Sequence, residues 1–487
     1  MTETISLEPA IKKIIADTET PLSVYLKLAN KKNTFLLESI EGGEKWGRYS
    51  VIGLASKKCV MVRGNEFKIL EDDIAVQTIQ TDDPLKLIED YKNNFTVRNT
   101  EGLPRFCGGL VGYFSFDTVR YTEKKLGLIN QKNSLETPDI LLLFVDNFVV
   151  FDNLKNELTI VKYFQENDLG AKEKSEETIE EISLKLTQNA SPIPSVDAQN
   201  KKRLNIKSEF RKEDFLLAVN RIKDYINEGD AMQVVLSQRF WTEFHERPIN
   251  LYRALRHLNP SPYLFYFDFG EFHIIGSSPE ILVRYENNLV TTRPLAGTRP
   301  RGQTLKEDAK LEIELLNDPK ELAEHLMLID LGRNDIGRIC ATGTVEVTEK
   351  MVIERFSHVM HISSNVEGVL REDKNAFDIL RATLPVGTLS GAPKIRAIEI
   401  IDELEPSKRG IYGGAVGYIS WIGEMDTAIA IRTGIIKDKI LYVQAGCGVV
   451  ADSQPEAEWE ETVNKGKAVF QAAKLAQNNL KLSLKQD

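Results

Sequence analysis

Two pairs of glutamates stand at helical spacing in distant parts of the chain. Glu321 and Glu324 lie in Asn317-Asp-Pro-Lys-Glu-Leu-Ala-Glu-His325, and Glu458 and Glu461 in Pro455-Glu-Ala-Glu-Trp-Glu-Glu-Thr462. Residues three apart share a helix face, where like charges repel unless a cation sits among them. Four such carboxylates suit Mg²⁺, a hard ion that takes carboxylate oxygens and keeps several waters. Two solvated acidic helix ends account for the same spacing. Within the first pair, Asp318 reads as an N-cap, Pro319 as the first helical residue and Glu321 as the reciprocal acid of a capping box. A third candidate is Gly446-Cys447-Gly448, read as a turn after a strand at 440–444. Its backbone N–H groups suit a ligand, and a β-bulge explains it as well. His361 is a candidate base or a hydrogen-bonded core residue, with no Ser or Cys nucleophile motif beside it.

A fifth stretch, Thr383-Leu-Pro-Val-Gly-Thr-Leu-Ser-Gly-Ala-Pro-Lys-Ile-Arg396, combines hydroxyls from Thr388 and Ser390 with the freedom of Gly391. Pro393 suits the first turn of a helix, and Ile395, Ile398, Ile401 and Leu404 recur at helical spacing. A hydroxyl-rich loop entering a helix, with Lys394 beside it, admits a small anion. A plain helix cap would use only Ser390 and Pro393. The Gly-to-Lys spacing is not that of a P-loop.

The elements that must position these residues read as mixed strand and helix. Strands are expected at 35–39, 48–53, 58–63, within 106–116, over 140–151, and at 263–269, 273–276 and 281–285. Residues 165–186 read as an exposed acidic helix, and 187–202, with Pro192 and Pro194, as a linker. Ser208 is expected to cap a helix whose apolar stripe is Phe215, Val219, Ile222 and Ile226. Gly413-Gly-Ala-Val-Gly-Tyr-Ile-Ser420 nearly repeats Gly108-Gly-Leu-Val-Gly-Tyr-Phe-Ser115. That echo suggests related strands from both halves in one structure, though glycine-rich strands also resemble one another by chance. Without strict β-α-β alternation, an α+β layered fold is favoured. The reading divides the chain into an N-terminal region (1–165), an acidic helix and linker (166–207) and a catalytic region (208–475).

Composition sets the outer bounds. The 487 residues suffice for a large core, and a net charge of −10 argues against nucleic acid as the main partner. Apolar runs are too short to span a bilayer, so no membrane association is expected. No signal-peptide core opens the chain, and Cys59, Cys107, Cys340 and Cys447 form no Cys-x-x-Cys pair. Both features suit a reducing cytoplasm.

Together these segments strongly resemble the chorismate-utilising enzymes. The resemblance runs through Gly276-Ser-Ser-Pro-Glu280, Arg293-Pro-Leu-Ala-Gly-Thr-Arg-Pro-Arg-Gly302, 323–335, Val359-Met-His361, 384–394, Ala430-Ile-Arg-Thr433 and 446–461. It implies a large α/β sandwich of two antiparallel sheets, with the N-terminal region interleaved. Relatives that make isochorismate, salicylate or aminodeoxychorismate carry a lysine before Gly297-Thr298. Here Ala296 leaves no side-chain nucleophile, which is the pattern of the anthranilate-forming branch. Leu36-Leu-Glu-Ser39 and Asn259-Pro-Ser-Pro-Tyr-Leu264 look like that branch's tryptophan-binding elements. Leu295 and Cys447 are small departures from its commoner isoleucine and alanine.

The resemblance implies that chorismate and ammonia give anthranilate and pyruvate, with feedback inhibition by tryptophan. It assigns Glu280 as acid, His361 as elimination base and Thr388 as a contact to the enolpyruvyl group. Gly297, Thr298, Tyr412, Arg432, Gly446, Cys447 and Gly448 would bind the substrate. Mg²⁺ would be held by Glu324 and Glu461, with Glu321 and Glu458 nearby. Tryptophan would lie among Glu38, Ser39, Pro262, Tyr263 and Leu264. With no Gly-x-Cys-x-Gly elbow in the chain, ammonia would come from a separate glutamine amidotransferase subunit. Two rivals are an aminodeoxychorismate synthase, against which Ala296 and Ser39 speak, and a non-catalytic metabolite sensor, which would have no use for Glu280.

Overall fold

The computed structural model describes residues 4–39, 47–127, 135–188, 204–356 and 359–481. Strand-forming segments rich in Val, Ile, Leu and Phe assemble two large, almost wholly antiparallel sheets of 13 and 12 strands. This is the expected two-sheet α+β sandwich, and the interleaving is literal. In the larger sheet, Thr34–Glu38 of the first half pairs with Tyr263–Asp268 of the second, placing Glu38 opposite Leu264. In the smaller sheet, Gly109–Phe114 pairs with Ala415–Ser420. Each sheet therefore takes one end from each half of the chain.

The second seam joins the two echoing segments to each other. Gly112 faces Gly417, Leu110 faces Ile419 and Phe114 faces Ala415, so the pair is centred on its glycines. A Cβ on Gly109 would lie 2.2 Å from the Ile419 carbonyl oxygen across this seam, and one on Gly414 would lie 2.2 Å from the Phe114 carbonyl oxygen. Glycine is what lets these strands approach.

The two-residue period of a strand sorts side chains between cores. Phe35, Phe148, Phe265 and Phe267 face the inter-sheet core together with Tyr113, Leu141 and Val283. Leu36, Leu264 and Tyr266 face the opposite side, under the helices Pro21–Leu28, Ala171–Leu186, Pro248–Leu258 and Pro455–Gln477. Each aromatic buried this way contributes roughly 1.5–3 kcal/mol by removing apolar surface from water. No helix among the described residues is long and apolar enough to cross a membrane.

Several sequence expectations need correction. Residues 140–151 form two strands, Ile140–Val145 and Asn147–Asp152, and these enter different sheets. The acidic segment is a strand to Gln165 and then the helix Ala171–Leu186. Ile179, Ile182 and Leu186 of that helix are buried, so it is only half exposed. Most of the expected linker lies outside the described residues. Ser208 is not a cap: it belongs to a short strand, and its hydroxyl donates to Gln238 Oε1 (2.7 Å). The following helix, Lys212–Asn227, begins after Arg211 without a side-chain cap. Its stripe is as expected, with Phe215, Val219 and Ile222 fully buried.

Candidate active site

Helix Pro319–Gly337 starts where the residue types require. Asp318 accepts from the N–H groups of Lys320 (3.0 Å) and Glu321 (3.4 Å), and Pro319 opens the first turn. The reciprocal half of the capping box is not made. The Asp318 N–H goes instead to the Leu315 carbonyl, and the Glu321 carboxylate turns to Arg299 (3.3 Å). A Cβ on Gly297, whose φ of +63° favours glycine, would stand 3.3 Å from Glu321 Oε2. Glu321 thus lies against Gly297 and Thr298, which sit at a bulge in the strand Leu295–Pro300. One helical turn on, Glu324 Oε1 meets the Gln233 amide at 3.5 Å.

Gly446 and Gly448 are not in a turn. They lie inside the strand Ile440–Val449, opposite Ser237 and Val235 of the strand Gln233–Glu243. A Cβ on Gly446 would sit 2.9 Å from the Tyr412 hydroxyl, and one on Gly448 would sit 2.3 Å from Gln233 Nε2. Gly446 is hemmed in by the Tyr412 hydroxyl and the Leu236 carbonyl, and Gly448 leaves room for the end of the Gln233 side chain. Cys447 buries its thiol, which contacts the Leu236 carbonyl (3.6 Å) and leaves only its backbone for a ligand.

The helix Pro455–Gln477 brings Glu458 and Glu461 to the same region. Burial raises the carboxyls of Glu324 and Glu458 above the usual range. Neighbouring glutamates add to the rise: Glu321 and Glu461 for the first, Glu461 for the second. Glu458 Oε2 is buried without a hydrogen-bond partner. Among the described residues, no three Asp, Glu, His or Cys side chains already converge as a formed metal site. Lys465 stands within this group, with its Nζ at 2.7 Å from Glu461 and 3.0 Å from the Gly446 carbonyl. Its charge reaches Glu280, Glu324, Glu458 and His361. Lys465 was missed from sequence, although it lies at i+4 from Glu461 and i+7 from Glu458 on one helix face.

Glu280 and His361 are driven in opposite directions. Glu280 is 5% exposed, and burial pushes its carboxyl up to about 8 against hydrogen bonds from the Leu295 backbone and the Thr388 hydroxyl (3.3 Å). Burial brings the His361 ring down to about 4, helped by the Arg432 and Lys465 charges. His361 Nδ1 lies 2.9 Å from the Gly297 carbonyl and 3.1 Å from Thr298 Oγ1. A carbonyl only accepts, so Nδ1 carries the proton and Nε2 keeps its lone pair.

Arg432 adopts a left-handed conformation (φ 51°), and burial lowers its guanidinium below the usual value. No carboxylate pairs with it among the described residues. A strained, desolvated and uncompensated cation beside Tyr412 is suited to an anionic ligand. Behind Tyr412 lies a buried ion pair, Glu405–Arg409, which sequence reasoning also missed. Arg409 donates to the carbonyls of Leu389 (2.5 Å) and Val235 (2.6 Å), and Glu405 accepts from the Ser237 N–H (2.7 Å). It braces the neighbour of Thr388 and the strand positions facing Gly446 and Gly448.

The Thr383–Arg396 stretch does not form the anion site its residue types admit. Lys394 is spent on both oxygens of Asp335, each at 2.9 Å, and the Ser390 hydroxyl donates to the Val386 carbonyl. Pro393 precedes the helix Lys394–Leu404 rather than sitting in its first turn.

The expected tryptophan residues lie on neighbouring strands but not on one face. Glu38 and Leu264 point to the helix-covered side, and Tyr263 points between the sheets. The Glu38 carboxylate is already held by Tyr252 and by Arg256 (2.9 and 3.2 Å). The Tyr263 hydroxyl donates to Asp426 (2.9 Å). Ser39 follows the last residue of its strand, and Pro262 precedes the first residue of the partner strand.

The chain is similar to known proteins over nearly its whole length. The chain is 55% identical over 471 residues to anthranilate synthase component 1 of Pseudomonas putida, covering 96% of each chain. It is 52% identical to anthranilate synthase component 1 of Neisseria meningitidis serogroup B, covering 97% of this chain and 96% of that one. The crystal structure of anthranilate synthase component I from Streptococcus pneumoniae superposes with a TM-score of 0.77 at 37% identity, covering 94% of this chain and 99% of that one. The menaquinone-specific isochorismate synthase of Escherichia coli, at 18% identity and a TM-score of 0.73 over 97% and 95% of the two chains, shares the fold. Residues 33–471 match the model of the chorismate binding enzymes, and the chain belongs to that family.

Proposed function

We propose that this chain is the large subunit of an anthranilate synthase, converting chorismate and ammonia to anthranilate and pyruvate in the first step of tryptophan biosynthesis. The observation that carries the reading is the placement of Glu280 and His361: a buried carboxyl held by the Thr388 hydroxyl and a ring fixed through Nδ1 on the Gly297 carbonyl, with burial raising the first and lowering the second. Groups pushed apart in this way divide acid and base roles. The shared name of the relatives supports the same assignment. So does Ala296, which leaves the attack on the ring to an external nucleophile.

Glu280 donates its proton to the departing C4 hydroxyl as ammonia attacks C2, a contribution typically of about 10²–10⁴-fold. His361 Nε2 then takes the C2 proton as pyruvate leaves and the ring becomes aromatic. Arg432, Tyr412 and the Gly446–Gly448 backbone bind the two carboxylates, with Arg432 able to do so bidentately. Gly297 and Thr298 line the ring, and Thr388 contacts the enolpyruvyl group while holding Glu280.

Glu324 and Glu461, with Glu321 and Glu458 beside them, would hold Mg²⁺. The hard donor set, the mutual repulsion and the partnerless Glu458 Oε2 all fit a cation. Held there, Mg²⁺ would supply Lewis-acid charge that lowers electron density in the bound ring, an effect worth several kcal/mol. A separate glutamine amidotransferase subunit, anthranilate synthase component II, supplies ammonia. Tryptophan inhibits by binding near Glu38, Ser39, Pro262, Tyr263 and Leu264, where its ammonium would join the Glu38 network. Four free, buried cysteines support a cytoplasmic setting.

The test is incubation of the purified chain with chorismate, Mg²⁺ and either ammonium or glutamine, with products identified by fluorescence and mass. Anthranilate is expected with ammonium and not with glutamine. An aminated intermediate that accumulates without pyruvate release would refute the reading in favour of aminodeoxychorismate formation.

A further inference from the structure

Glu280 has a second neighbour that the substrate cradle does not use. Behind it lies a cavity of about 20 Å³ that shares Glu280 and Thr388 with the cradle but not Arg432, Tyr412 or His361. Its lining passes Thr292 and reaches Leu331 and Gly332 on the helix Pro319–Gly337, which are partly exposed to solvent. A single water needs roughly 10–15 Å³ and polar partners. Most of the polar lining is already engaged: Arg293 by Ser363 (2.9 Å) and Glu349 (3.3 Å), and Asp335 by Lys394. Thr292 differs. It is 8% exposed, and its Oγ1 is buried with no hydrogen-bond partner. Buried hydroxyls are nearly always satisfied, by protein or by ordered water.

We propose that this cavity holds one water molecule between Thr292 and Glu280, and that this water returns a proton to Glu280 after each turnover. The inference rests on Glu280 being the acid. In each cycle the Glu280 O–H bond breaks, and its proton leaves with the C4 hydroxyl as water. The cavity water then gives one proton to the carboxylate and takes one from solvent on the Leu331–Gly332 side. The amine added to the ring returns one proton to solvent, and the C2 proton taken by His361 is passed to the methylene carbon of the departing enolpyruvate, which gives pyruvate and frees His361. The proton count closes, and nothing is oxidised or reduced.

Gly332 supplies a clean perturbation. It sits inside a helix, where alanine is the better helix former. An added Cβ would stand 3.2 Å from Thr292 Oγ1 and 3.7 Å from Val366 Cγ2, which fills the cavity and displaces little else. Gly332→Ala, Thr292→Val and Thr292→Ser are assayed in H₂O and D₂O with Mg²⁺ at saturating chorismate and ammonium. In the first two, kcat falls about 10-fold, a part of a general acid's usual contribution. The solvent isotope effect grows, and KM for both substrates stays at the parent value. Thr292→Ser, which keeps the hydroxyl, stays near the parent. A parent-like kcat and isotope effect in both Gly332→Ala and Thr292→Val overturn the proposal. So does a raised KM for ammonium at unchanged kcat, because the cavity would then be the route of the nucleophile. Glu280→Gln separates the layers. If it keeps turnover, the acid assignment itself fails. If it is inactive while the cavity variants behave like the parent, only the water relay fails.

Discussion

Replacing Glu280 by glutamine should abolish most activity and stabilise the protein. The carboxyl is 5% exposed and is held up to about 8, against 4.5 in an unfolded chain. A group whose folded pKa is raised contributes its stability in full below the unfolded value and loses it as pH rises through the folded one. At pH 7 the carboxyl sits roughly 2.5 units above its unfolded pKa and still below its folded one. At 1.36 kcal/mol per unit, the unfolded state gains roughly 3 kcal/mol from ionisation that the folded state does not share. Glutamine has the same shape, can accept from Thr388 and never ionises. Denaturant unfolding of parent and Glu280→Gln between pH 4.5 and 7.5 should show a stability difference near zero at the acid end. The difference should grow with pH in favour of the variant, toward about 3 kcal/mol at pH 7, while kcat falls by about 10²–10⁴-fold. A difference that does not change with pH, or a variant less stable at pH 7, would refute the buried neutral acid.

Glu324→Gln and Glu461→Gln should each nearly abolish Mg²⁺-dependent turnover while circular dichroism shows a folded protein. Near-normal activity in either would remove the paired-carboxylate site. Ala296→Lys should divert or block amination, because a lysine there places an amine where ammonia must approach. Unchanged anthranilate formation would remove that reason for choosing the branch. Ser39→Phe should leave an active enzyme that tryptophan no longer inhibits, and inhibition equal to the parent's would show the regulatory site to be misplaced. For any effect on affinity, chorismate must weaken tryptophan binding in return, which a binding titration checks.

What could be read from the sequence was whatever local chemistry decides. Asp318 and Pro319 open their helix as their types require, because capping involves only the next few residues. The glutamate pairs share helix faces because periodicity alone fixes that. Ser208 and Gly446 were misjudged where tertiary pairing overrode local signals: a serine that could cap is drawn into a strand, and two glycines are placed within a strand by close neighbours. Lys465 was legible in the helical spacing that links it to Glu458 and Glu461, whereas Gln233 and Thr292 were out of reach, since a lone glutamine and a strand threonine mean nothing until distant segments meet. Lys394 failed in the opposite sense, because its partner Asp335 lies 59 residues away along the chain.

The two seams also bear on how this chain acquires its structure. Thr34–Glu38 waits for Tyr263–Asp268, and Gly109–Phe114 waits for Ala415–Ser420, so neither sheet closes until most of the chain exists. Loop-closure entropy must be overcome before such remote pairings contribute, which makes folding slow and strongly dependent on topology. Newly synthesised N-terminal strands spend that interval with unpaired edges, the state most exposed to aggregation. A long chain of several domain-lengths is thereby committed to one cooperative unit. A truncation that removes Ala415–Ser420 would leave Gly109–Phe114 without a neighbour on one side, and would damage the first half of the protein as surely as the second.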